Sequence, residues 1–141
     1  MISVLTVDGL DPRDMLAIRS RLTRPGSEFQ LEVSAVLEGE ASSCTPIAVA
    51  HVDGALIGWA CSHVWQDMQT LEQYVDGRHR RKLVALSLSS ALVSRGILDR
   101  TKPVAVFSPA TALIAGKLGM LAVHEYERRG AEWVRGTPGL T

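Results

Sequence analysis

Five consecutive positions, Arg78-His79-Arg80-Arg81-Lys82, gather four fixed positive charges and an imidazole into one short stretch. The run follows a strand-like segment, Leu71 to Val75. It leads directly into a helical pattern with Val84, Leu88, Ala91 and Leu92 on one face. The spacing predicts a helix that begins near Arg81 and is closed by Gly96. A helix start exposes N–H groups that have no acceptor in a preceding turn. Their partial positive charge favours an anion, most often phosphate. Arg80, Arg81 and Lys82 add full charges beside those dipoles, so residues 80–85 are expected to hold a phosphate group. Two plainer readings of the run are a solvated loop and a nucleic-acid contact. Its position between strand and helix favours phosphate over both.

Other reactive groups are sparser. Glu72 lies on the strand before the basic run and reads either as a proton acceptor or as a surface strand residue. His51, His63 and His124 fall in strand-like segments, where packing or surface roles account for them. Cys61-Ser62-His63 has same-face spacing on a strand, yet no second ligand pair accompanies it, so no metal is expected. Ser87, Ser90 and Ser94 recur at helical spacing as an outer polar face. Trp59 and Trp65 alternate with Ile57 and His63, consistent with core or rim packing. The sequence contains no Walker loop, dinucleotide fingerprint, metalloprotease helix or nucleophile elbow.

The elements that must position these groups can be followed from the start of the chain. Ile2 to Val7 reads as a strand, and Asp11-Pro12 as a helix N-cap followed by proline at the first helical position. Met15, Ile18 and Leu22 continue that helix until Pro25-Gly26 stops it. Phe29 to Leu37 fits either a helix or a strand and is assigned to helix; Gly39 to Pro46 is loop by composition. Ile47 to Val52 and Ala55 to Trp65 form a hairpin around Asp53-Gly54, a pair suited to a type I′ turn. Leu71 to Val75 is a further strand after the polar break Gln66-Asp67. Val104 to Phe107 is a short strand, Ser108-Pro109 a second N-cap and proline, and Ala110 to Leu118 a helix closed by Gly119. Leu121 to Tyr126 and Ala131 to Val134 read as two strands joined around Arg128-Arg129-Gly130. The order β-α-(α)-β-β-β-α-β-α-β-β predicts one α/β (α+β) domain over residues 1–141, with a mixed, mostly antiparallel sheet flanked by helices.

Composition agrees with a chain that buries one core: 141 residues, 46% hydrophobic and 21% charged. Lys plus Arg and Asp plus Glu both number 15, which gives no global attraction to nucleic acid or to acidic membranes. The first ten residues lack a basic leader pattern, and no apolar run approaches bilayer length. Two cysteines, Cys44 and Cys61, set no disulfide framework, and the expected compartment is the cytoplasm.

With these elements in order, the chain resembles the GNAT family of acyl-CoA-dependent N-acyltransferases. That family's pyrophosphate loop, Gln/Arg-x-x-Gly-x-Gly/Ala placed five residues after a strand valine, corresponds to Val75 and then Arg80-Arg81-Lys82-Leu83-Val84-Ala85. The first and last positions match, and Leu83 stands where the central glycine would be. Leu118-Gly119-Met120 resembles the family's Leu-Gly-Phe, and Ala55 to Ala60 resembles its second and third strands. The resemblance implies acetyl-CoA as acyl donor, lying in a splay between Leu71–Val75 and Val104–Phe107, with an amine as acceptor. Backbone groups of Gln73, Tyr74 and Val75 would pair with the pantetheine arm. Arg80, Arg81, Lys82, Leu83, Val84 and Ala85 would hold the pyrophosphate, with Leu83 helical in φ and its side chain turned toward the core. Glu72 would be the base. Ser108 would stand for an asparagine at the start of the next helix, and Ala115 occupies the place of the family's tyrosine acid. Tyr74, His79, His124 and Tyr126 are the remaining titratable or hydroxyl groups. A catalytically silent binding or scaffold protein with the same fold is the second reading. Nucleic acid and membrane are not expected partners, and a homodimer stays open.

Overall fold

The computed structural model describes residues 1–22, 44–80, 83–130 and 132–136. β1 (Ile2–Thr6) runs through a 3₁₀ turn (Val7–Gly9) into α1 (Pro12–Leu22). β2 (Pro46–Val52), β3 (Ala55–Cys61), β4 (Val64–Trp65) and β5 (Met68–Val75) follow. After a second 3₁₀ turn (Gly77–His79) come α2 (Val84–Ser94), β6 (Val104–Val106) and α3 (Pro109–Lys117). β7 (Ala122–His124), β8 (Tyr126–Arg129) and β9 (Glu132–Arg135) complete the order. Seven strands make one sheet in the order β1-β2-β3-β5-β6-β7, with β4 on β5, while β8 and β9 form a separate ribbon. Pairings from β1 to β5 are antiparallel; β5 to β6 and β6 to β7 are parallel. The sheet is therefore mixed and mostly antiparallel, as expected. No helix among the described residues is long and apolar enough to cross a membrane.

Local chemistry explains the boundaries. Asp53 and Gly54 both have positive φ, 51° and 78°, which gives the type I′ turn its twist. Asp11 Oδ1 accepts the Arg13 N–H at 2.8 Å to start α1. Ser108 Oγ accepts the Thr111 N–H at 3.3 Å to start α3. Three expectations need correction. The strand predicted over Ala55 to Trp65 ends at Cys61. Gln66 and Asp67, both at positive φ (51° and 61°), form a second two-residue hairpin that pairs Trp65 with Met68. The two terminal strands are three: β7 ends in the main sheet at His124, and β8 and β9 turn back through Gly130. α2 starts at Val84 rather than near Arg81. The helix expected over 29–37, the Pro25-Gly26 stop, and residues 39–43 of the expected loop lie outside the described residues.

Alternation along the strands gives the sheet two apolar faces. Ala48, Ile57, Leu71 and Val75 pack with Leu88 and Leu92 of α2 and Ala115 of α3. Val49, Leu56, Trp59 and Tyr74 pack on the other face with Ile18 of α1. Each fully buried Leu or Ile contributes about 1.5–3 kcal/mol relative to exposure. At Gly58 β3 and β5 lie close together. A Cβ there would stand 2.8 Å from the Tyr74 carbonyl oxygen and 3.2 Å from Val75 Cγ2. Gly58→Ala is expected to force the strands apart and to lower stability by roughly 1–3 kcal/mol, which urea unfolding would measure. Unchanged stability would show that β3 and β5 can separate freely at this point.

Candidate functional site

The site grows out of the edge of β5. Its ladder with β6 runs through Gln69↔Val104, Thr70↔Ala105 and Leu71↔Val106, and goes no further. β5 continues for four more residues, and in its described ladders residues 72–75 pair with β3 from Cys61↔Glu72 to Gly58↔Val75. β6 meanwhile turns at Phe107 and Ser108 into α3. A gap in the pairing thus opens between the two parallel strands beyond Leu71.

Peptide geometry fixes what faces that gap. The Asp76 N–H donates to Ile57 O at 2.8 Å, toward β3. A trans peptide sends the carbonyl opposite to the N–H that follows it, so Val75 C=O points away from β3. The Tyr74 carbonyl faces Gly58 on β3, so by the same rule the Val75 N–H also points away. Gln73, two residues back, presents its backbone to the same edge. Its side chain lies on the α2 face, 3% exposed, and Ser89 Oγ donates to Gln73 Oε1 at 3.3 Å. Tyr74 packs on the α1 face, 5% exposed. Arg80 reaches back across this end of β5. Its Nε donates to Val75 O at 2.9 Å, and its guanidinium carbon lies 6.0 Å from the Tyr74 ring centroid.

The loop into α2 departs from expectation at Leu83. This residue was expected to be helical in φ and turned inward. Instead it sits at φ 59°, ψ 19°, in the left-handed region, and is 61% exposed. A non-glycine residue there bears about 1–2 kcal/mol of strain, so leucine here takes the backbone shape that glycine adopts without cost. Leu83 is the N-cap of α2 and makes no side-chain cap bond; the first turn carries no acidic residue. The first helical bond comes from the Ser87 N–H to Leu83 O, 3.0 Å. The amides of Val84, Ala85 and Leu86 therefore have no acceptor within the helix. Val84 and Ala85 are half-buried against the α2-face core. Arg81 and Lys82 lie outside the described residues.

Glu72 is fully buried on the face it shares with Tyr74, which rules out the surface-strand reading. A carboxyl buried in this way needs polar partners. Ser108 is 1% exposed, and its Oγ lies 3.1 Å from Thr111 Oγ1 besides capping α3. Its hydroxyl is engaged in the helix start. Ala115 is fully buried in the core and offers no hydroxyl. His51 Nε2 meets Asp14 Oδ2 at 2.8 Å and ties β2 to α1. His63 Nδ1 lies 3.0 Å from Thr70 Oγ1. Tyr126 OH lies 2.9 Å from His124 Nδ1, and burial pushes the Tyr126 phenol above its usual value. His79 is half-buried in a cleft of about 490 Å³ that Val52, Leu56, Tyr74 and Asp76 also line. Sequence reasoning did not find this cleft. It requires the tip of the β2–β3 hairpin to lie beside the end of β5, which no local pattern encodes.

No protein-family model and no curated protein matches the chain. Among solved structures it is similar to a ribosomal-protein-alanine N-acetyltransferase from Brucella melitensis biovar Abortus 2308. That match has 19% identity, covers 92% of this chain and 96% of the other, and has a TM-score of 0.47. It is also similar to an acetyltransferase from Vibrio fischeri, with 16% identity, 75% and 93% coverage and a TM-score of 0.41. A third similarity is to an aminoglycoside acetyltransferase from an uncultured soil metagenomic sample. It shows 13% identity, 92% and 82% coverage, and a TM-score of 0.41.

Proposed function

We propose that the protein is an acyl-CoA-dependent N-acyltransferase of the GNAT type, one domain over residues 1–141, working in the cytoplasm. The observation that carries this reading is the gap between β5 and β6. Val75 directs both its N–H and its C=O into it, and the chain then passes through a left-handed Leu83 to the uncapped amides of α2. A donor with an amide-bearing arm and a pyrophosphate at one end matches that order of groups. The arm would add to β5 as an extra strand, and the pyrophosphate would take the amides of Val84 to Leu86 with Arg80, Arg81 and Lys82 beside them.

The acyl thioester carbonyl would then meet the Val75 N–H, which stabilises the oxygen as negative charge develops on it. A neutral amine attacks the carbonyl carbon; the C–N bond forms and the C–S bond breaks, with CoA leaving as thiolate. The proton released by the amine passes to Glu72, directly or through water. A thiolate needs little protonation at neutral pH, so the reaction does not depend on a hydroxyl at Ala115. The buried alanine there and the engaged Ser108 hydroxyl favour a second reading, a fold that binds the donor without turnover.

Native mass spectrometry for bound CoA, followed by an amine panel assayed by thiol release, separates the two. The panel holds a peptide lysine, a small amine, an aminoglycoside and a modified nucleobase. The transferase reading expects thiol release matched, on one amine class, by the mass gain of an acetyl group replacing one amine hydrogen. Donor binding with no thiol release across the panel favours the silent fold.

A further inference from the structure

We infer that Arg80 is a latch that keeps the pantetheine-binding edge of β5 closed until phosphate draws it away. The inference rests on the donor site proposed above and adds an order of binding to it.

Val75 C=O faces the gap, and the Arg80 Nε–H already occupies it at 2.9 Å. A strand added to β5 must bring its own N–H to that oxygen, and the guanidinium stands in that space. The same guanidinium lies 6.0 Å from the Tyr74 ring centroid, so the contact with β5 has two parts. Arg80 also lies three residues before Leu83, whose left-handed turn opens the α2 amides. Arg80 therefore holds the Val75 carbonyl while lying, in sequence, just before the helix start where the proposed donor places its anion. A phosphate offers the guanidinium a negative charge and two oxygens for parallel N–H···O bonds, whereas the Val75 carbonyl offers one neutral acceptor. Phosphate arriving at α2 thus pulls Arg80 from Val75 and frees the edge for the arm. The two halves of the donor then favour each other's binding, and the coupling is reciprocal.

Ligand-observed NMR and calorimetry with three probes test this: CoA, pantetheine without phosphate, and adenosine 3′,5′-diphosphate. In the wild-type protein, saturating diphosphate is expected to raise pantetheine affinity roughly three- to tenfold. In Arg80→Ala the two fragments should respond with opposite signs. Pantetheine alone should bind roughly three- to tenfold more tightly, diphosphate about tenfold more weakly, and the coupling should vanish. If Arg80 only binds phosphate, pantetheine affinity will be unchanged or lower in the variant, and the latch is refuted while the donor site stands. Failure of pantetheine to bind either protein, with CoA binding intact, counts against the latch in the same way. If CoA itself does not bind the wild-type protein, the donor reading fails and the latch with it.

Discussion

Ala85→Glu is expected to lower acetyl-CoA affinity by roughly two to three orders of magnitude while the protein stays folded. Ala85 is the second residue of α2, in the turn whose amides have no helical acceptor. A carboxylate there lies beside the pyrophosphate in the proposed complex. Two like charges about 4 Å apart near a protein surface repel by about 4 kcal/mol, which corresponds to about a thousandfold in affinity. The same carboxylate interacts favourably with the positive end of the helix, by about 0.3–1 kcal/mol. Its electrostatic effect on folding is therefore opposite in sign to its effect on binding. Calorimetric titration with acetyl-CoA, beside a thermal melt of each protein, reads both. Equal affinity in the two proteins would remove residues 80–85 from the donor site.

Glu72→Gln is the second large effect. The exchange keeps the shape of a side chain that is fully buried on β5 and removes its ability to take a proton. Loss of a general base costs about 10²–10⁴ in rate. Turnover with the best amine of the panel should fall by that amount, with acetyl-CoA binding unchanged, because Glu72 lies on the α1 face and the pyrophosphate loop lies beyond Val75. A loss of donor affinity equal to the loss of rate would mark Glu72 as a structural group of the sheet. Full activity in Glu72→Gln from pH 6 to 9 would exclude any proton role.

Much of this frame was legible in the chain because it is written in local chemistry. Asp53-Gly54 specifies its hairpin, and Asp11 and Ser108, each followed by proline, announce α1 and α3. Features that depend on tertiary placement were not. Leucine has no propensity for the left-handed region, so Leu83 reads as an ordinary helical residue until the loop geometry imposes φ 59° on it. Gln66-Asp67 lacks the glycine that marks a type I′ turn, which hid the second hairpin. Glu72 reads in the sequence either as a proton acceptor or as a surface strand residue, because burial on both faces appears only when α1 and α2 cover the sheet. The basic run shows where phosphate is expected. It does not show that Arg80 folds back onto Val75, which requires the end of β5 and the second 3₁₀ turn to be placed together.

The central claim is that the gap beyond Leu71↔Val106 seats the acyl donor. Titration of ¹⁵N-labelled protein with acetyl-CoA, followed by backbone amide NMR, tests it most directly. The account predicts saturable shifts that are largest at Val75 and at Val84, Ala85 and Leu86, with Gln73 next. Binding whose shifts centre instead on the cleft of Val52, Leu56 and His79 would contradict it, as would a spectrum that acetyl-CoA leaves unchanged.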